Sequence, residues 1–128
     1  MIYYVVRIYY VLSVDFTLSL LLEMDGLIYY YPSGFWLKIE AKSMRRSSNY
    51  PYAVKYSLTL HDPAGNRILG YDNAHKVPGE SMHSAYDHKH KGARIISYQY
   101  SSADKLLEDF YNDIEMILDK AREYEYEA

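Results

Sequence analysis

The 128-residue chain contains no cysteine. That excludes a disulfide framework, a cysteine-ligated zinc or iron–sulfur centre and thiol chemistry, and it fits a cytoplasmic setting. There is no P-loop, no glycine-rich dinucleotide fingerprint, no HExxH and no nucleophile elbow. Nucleotide hydrolysis, zinc-protease and serine-hydrolase chemistry therefore lose their usual support. No internal repeat or low-complexity tract occurs. The longest apolar stretch, Met1–Leu22, is interrupted by Arg7 and Asp15. It reads neither as a membrane span, which wants about 20 mostly apolar residues, nor as a signal peptide, since it has no basic leader and no small-residue cleavage site.

What the chain has in quantity is tyrosine. Seventeen tyrosines reconcile a hydrophobic content of 49% with a mean hydropathy of −0.35, and they favour strands over helices. The length predicts a single domain, residues 1–128, large enough to bury a core without a metal or disulfide. Net charge is −3, unevenly placed. From Asp104 onward nine acids face three bases, giving −6, while residues 1–103 carry +3. The acids read as a solvated helix face; the remainder leaves room for an anion-binding surface.

From Ser13 the chain alternates Ser13, Asp15, Thr17, Ser19 against Val14, Phe16, Leu18, Leu20. This reads as a half-buried strand, so residues 2–22 are expected to form one long strand or two short ones. Residues 1–13 form an extension or edge strand, and Met24 is an alternative start. Turn signals at Asp25-Gly26, Pro32-Ser33-Gly34 and Asp62-Pro63-Ala64-Gly65-Asn66 delimit strands at 27–31, 35–41, 52–60 and 67–71. Residues 72–92 lack periodicity and read as a long loop, and 93–100 as a last strand. Ser101-Ser102-Ala103-Asp104 opens a helix over 102–124. Its apolar stripe runs through Leu106, Leu107, Phe110, Ile114, Ile117, Leu118 and Ala121, and residues 125–128 fray. The expected fold is α+β: an antiparallel, meander-like sheet of about five to seven strands with this helix across one face. Tyr3, Tyr4, Tyr9, Tyr10 and Tyr29–Tyr31 exceed what one small core buries, which points to a homodimer.

Candidate chemistry concentrates between residues 72 and 94. Four of five histidines, His75, His83, His88 and His90, fall there beside Asp72, Asn73, Asp87, Lys89, Lys91 and Arg94. His88 and His90 are two apart, so in extended backbone they face the same way and can share one phosphate or metal. The competing reading is a histidine-rich surface loop in which Asp-Asn only shapes a turn.

Lys55-Tyr56-Ser57-Leu58, Tyr71-Asp72-Asn73, Asp87-His88-Lys89-His90 and Lys105-Leu106-Leu107-Glu108-Asp109-Phe110 occur in this order. Together they resemble the TumE family over roughly residues 14–120. The resemblance implies a toxin of a toxin–antitoxin system, paired with a helix-turn-helix antitoxin. Lys55, Asp72, Asn73, Asp87, His88 and His90 stand at matching positions. The link from Ala74 to Tyr86 is longer than the family's short Gly-Lys-rich connection, so His75 and His83 are not carried over.

Small toxins of this size often cut RNA, and these residues suit that reaction without a cofactor. His88 and His90 supply base and acid, Asp72 orients an imidazole, and Lys55 holds the phosphate. Asn73, Asp87, Lys89 and Arg94 are candidates for substrate binding. Two alternatives stay open: a metal-dependent hydrolase acting on something other than RNA, its divalent metal held by His88 and His90 with Asp72 or Asp87, and a non-catalytic module that binds nucleic acid or protein.

Overall fold

The computed structural model describes residues 14–74 and 87–127, with side chains described over 17–74 and 87–122. The first described element is helix α1 (Val14–Glu23), which over residues 14–22 corrects the strand expected at 2–22. Residues 2–13 lie outside the described residues. The polar alternation from Ser13 was real but misleading. Thr17 and Leu21, four residues apart and therefore on one helix face, are both fully buried, while Ser19 is exposed. The leucines at 18, 20, 21 and 22 are also strong helix formers. Asp25-Gly26 thus ends a helix rather than a strand: the Met24 N–H still bonds back to the Leu20 carbonyl at 3.0 Å, and the Gly26 N–H goes to the Ile39 carbonyl.

Six antiparallel strands follow in strictly sequential order: β1 (Leu27–Tyr30), β2 (Trp36–Ser43), β3 (Val54–His61), β4 (Arg67–Asp72), β5 (Asp87–Lys91) and β6 (Arg94–Tyr98). The segment expected to be a loop over 72–92 contains β5, which pairs with both β4 and β6. Residues 75–86 of that segment lie outside the described residues. Turn chemistry sets the registers. Gly34 adopts φ 93°, and a Cβ there would stand 3.2 Å from Pro63, so both conformation and space demand glycine. In the next hairpin Asp62 accepts from the Asn66 backbone N–H (2.9 Å) and side-chain amide (3.1 Å). Those bonds, the side-chain one foremost, hold its carboxyl below the usual range. Asp25 receives the Ala41 N–H at 2.9 Å and pairs with Lys42, and the Lys42 bond leads in lowering its pKa.

Alternation along the strands divides the sheet into two faces. One buries Leu37, Ile39 and Ala41 of β2, Val54, Tyr56, Leu58 and Leu60 of β3, and Leu69 and Tyr71 of β4. The other is polar and open, as detailed below.

Helix α2 (Ala103–Glu127) follows. Ser102 caps it: its side chain accepts from the Lys105 N–H at 3.3 Å and its carbonyl from Leu106 at 3.0 Å. Leu106, Leu107, Phe110, Ile114 and Leu118 are buried, as the three- and four-residue spacing requires. The fold is α+β, and among the described residues no helix is long and apolar enough to cross a membrane.

Candidate functional site

Asp72 is the last residue of β4, and the antiparallel register of β4 and β5 sets it opposite His88, with Gly70 opposite His90. Paired residues share a face, so Asp72, His88 and His90 all stand on the open side of the sheet. Ser57 of β3 is opposite Asp72 on one flank, and Ser97 of β6 is opposite His88 on the other.

The contact at the centre joins His90 Nε2 to Asp72 Oδ2 at 3.1 Å, with both side chains about one-fifth exposed. The second carboxylate oxygen accepts the Ala74 N–H at 3.2 Å, which fixes the carboxyl plane at the strand end. With Asp72 as acceptor, Nε2 of a neutral His90 carries the proton and Nδ1 keeps its lone pair. The His88 and His90 ring centres are 6.3 Å apart. Lys55 lies on the same face of β3, two residues before Ser57, exposed and with no carboxylate partner among the described residues. The four residues assigned to chemistry from the sequence are therefore on one surface. Among the described residues, no group of three or more histidines and carboxylates is placed to hold a metal ion.

The residues expected to bind substrate are distributed differently. Asn73 is buried and committed to the backbone: its side chain accepts from the Tyr56 N–H at 2.8 Å and donates to the Val54 carbonyl at 2.7 Å. It prolongs the β3–β4 ladder with a side chain. Asp87 and Lys89 alternate with the histidines and so face the other side. Asp87 receives the Tyr56 hydroxyl at 2.5 Å, and the Lys89 ammonium sits 5.2 Å from the centre of the Tyr71 ring. Burial, and then the Asp87 charge, raises the Tyr56 phenol far above its ordinary range, so it donates at every working pH. Asp87 also lines a pocket of about 400 Å³ with Tyr52, Asn73, Ser97, Tyr98 and Tyr100. Arg94, opposite Lys91 at the β5–β6 turn, is exposed on the face away from the histidines. His75 and His83 lie outside the described residues.

Sequence reasoning missed Arg67. It opens β4 opposite His61, and its stem runs back along the open face: a Cβ built on Gly70 would meet its Cδ at 3.5 Å and its Nε at 3.8 Å. The signal available was Gly70 itself, since glycine inside a strand often marks a place where something lies close.

The fold and site define an α+β protein that carries, on one face of its described six-stranded meander, two histidines of which one, His90, is held by a carboxylate. Residues 25–118 match the family of toxin TumE, a span covering all six strands and reaching into α2, and the chain belongs to that family. Its family is one of toxins of toxin–antitoxin systems, which implies an antitoxin partner. No curated protein and no solved structure matches the chain.

Proposed function

We propose that this toxin cleaves RNA in the cytoplasm, without a metal, through Asp72, His88, His90 and Lys55, and that a helix-turn-helix antitoxin restrains it. The Asp72–His90 bond with His88 on the same face supports this reading. Asp72 holds the His90 imidazole with Nδ1 free as a base. That base takes the proton of a ribose 2′-hydroxyl, the oxygen attacks the adjacent phosphorus, and the bond to the 5′ oxygen breaks. His88, protonated, returns a proton to that leaving oxygen. Lys55 stabilises the crowded phosphate. The products are a 2′,3′-cyclic phosphate and a 5′-hydroxyl, and no other reactant is required. Exposed Ile28 on β1 and Ile95 on β6, at the two ends of the described sheet, favour association of two copies through the sheet edges.

The test is incubation of purified protein with end-labelled RNA, with and without EDTA. Cleavage should leave cyclic phosphate ends, ignore the chelator, and fall roughly a hundredfold or more in His88→Ala or His90→Ala. Loss of cleavage in EDTA, restored by zinc or manganese, replaces this mechanism with the metal-dependent one. RNA left intact, or cut equally well by both variants, contradicts the catalytic reading and leaves a binding module.

A further inference from the structure

The open face carries a second feature beside the histidines. Cross-strand pairing sets Tyr30 of β1, Trp36 of β2, His61 of β3 and Arg67 of β4 in one row across the sheet. Trp36 lies flat on His61, with ring centres 3.9 Å apart and planes within 8°, and Tyr30 leans on the outer side of Trp36 at 5.9 Å. His61 is itself held by a 3.0 Å hydrogen bond between its Nε2 and the Thr59 hydroxyl. The rings are thus pre-ordered, and the outermost, Tyr30, is 66% exposed.

The far end of the row reaches the candidate site. Arg67 folds over Gly70, and Gly70 is the direct partner of His90. One continuous strip therefore runs from exposed aromatic rings, through a guanidinium, to the Asp72–His90 pair. With strands about 4.8 Å apart, the row from Tyr30 to Arg67 spans about 14 Å.

Charge on this strip selects the partner. Lys38 and Lys42 are neutralised by Glu40 and Asp25. Arg67 and Lys55 have no carboxylate partner among the described residues, and they stand on the two sides of the histidine site along the strands. This arises in a chain whose net charge is −3. Between the ring row and Lys55 the surface is polar, lined by Thr59 and Ser57 and by the Lys38–Glu40 pair opposite them. A protein-docking patch has a more apolar centre. Aromatic faces beside cations that no described carboxylate neutralises suit unstacked bases joined by phosphates.

We infer that the Tyr30–Trp36–His61–Arg67 row is a binding subsite for single-stranded nucleic acid, in which the exposed ring of Tyr30, backed by Trp36, receives a base and Arg67 seats the phosphate beside His90. The choice of RNA as the natural strand rests on the ribonuclease reading above; the subsite itself does not. Duplex is disfavoured because its bases are already stacked and offer no free face to the rings.

Trp36 is the chain's single tryptophan, so its emission reports the subsite directly. The experiment titrates purified protein with a single-stranded oligodeoxynucleotide, which lacks the 2′-hydroxyl and binds without being cut. Fluorescence is followed in parallel with anisotropy of an end-labelled strand. Saturable quenching is expected with the single strand and not with the same sequence as a duplex. Tyr30→Ala and Trp36→Ala should each weaken binding roughly five- to hundredfold, as loss of one stacked base does. Trp36→Phe should restore most of it, which separates stacking from damage to the sheet. Arg67→Ala should weaken binding and lower the dependence of log affinity on log salt by about one.

Unquenched tryptophan with affinities unchanged in Tyr30→Ala, Trp36→Ala and Arg67→Ala overturns the subsite, even if RNA is cleaved at the histidines. Quenching by the antitoxin but not by any oligonucleotide also overturns it and assigns the row to the protein partner. Quenching and affinity loss as expected, with RNA left intact, uphold the subsite and defeat the ribonuclease reading alone.

Discussion

The two faces of the one sheet divide the work between them, and β3 shows how closely. Along its eight residues Val54, Tyr56, Leu58 and Leu60 are buried, while Lys55, Ser57, Thr59 and His61 between them are not. Strand β5 repeats the division in polar residues alone. Asp87 and Lys89 engage Tyr56 and Tyr71 on the buried side, while on the open side His90 bonds to Asp72 and His88 stands opposite it in the register. A shift of one residue in the β4–β5 register would exchange the two sets completely. The comparison teaches that stability and candidate chemistry here are neighbours in sequence and separated only by the thickness of a sheet.

That division can be broken from the buried side first. Leu58→Ala should cost about 2–5 kcal/mol in chemical denaturation, since it removes a fully buried side chain. The open-face substitutions should cost less: roughly 0.5 kcal/mol for His88→Ala, and about 0.5–1.5 kcal/mol for His90→Ala, which also gives up the bond to Asp72. A comparable loss from the histidine variants would mean that the open face also carries the fold.

The boundary between Asp72 and Asn73 is sharper still. Asn73→Ala strips partners from the Tyr56 N–H and the Val54 carbonyl, both buried, and should cost roughly 1–3 kcal/mol. Asp72→Ala gives up half-buried bonds to His90 and Ala74, so it should cost less than Asn73→Ala, about 0.5–1.5 kcal/mol, and remove the activity. Equal melting temperatures for the two variants would erase the distinction between a structural residue and a functional one.

The smallest effect expected is a pH dependence. Tyr56 has its pKa raised in the folded protein, so the fold favours the neutral phenol. Its contribution is complete below the unfolded value of about 10 and declines as pH rises above it toward the folded value. Equilibrium denaturation should therefore show stability falling above pH 10, with a shallower fall in Tyr56→Phe.

Much of this was legible in the sequence, for identifiable reasons. Positive-φ glycines at 26, 34 and 65 open β1 and turn the chain from β1 to β2 and from β3 to β4, and α2 carries a cap and a buried stripe. Helix α1 was misread because Ser13 to Leu20 satisfies a two-residue period in composition, while the burial of Thr17 and Leu21 follows the helical one. Strand β5 was invisible as a strand because Asp-His-Lys-His-Lys has no apolar residue to alternate, and all five are half-exposed. The grouping of Asp72, His88 and His90 was nevertheless foreseeable, since two histidines two apart share a face wherever the backbone is extended. Arg67 was not, because only the register and the missing side chain of Gly70 bring it there.

The most direct test of the central claim, that toxicity resides on the open face, is induction of the wild-type chain and of the His88→Ala/His90→Ala double variant in cells, reading growth and total RNA. Melting of the purified variant checks that the fold survives. The account predicts arrest with fragmented RNA for the wild type, and growth with intact RNA for a variant that still melts cooperatively, only slightly below the wild type. A double variant that still arrests growth contradicts it.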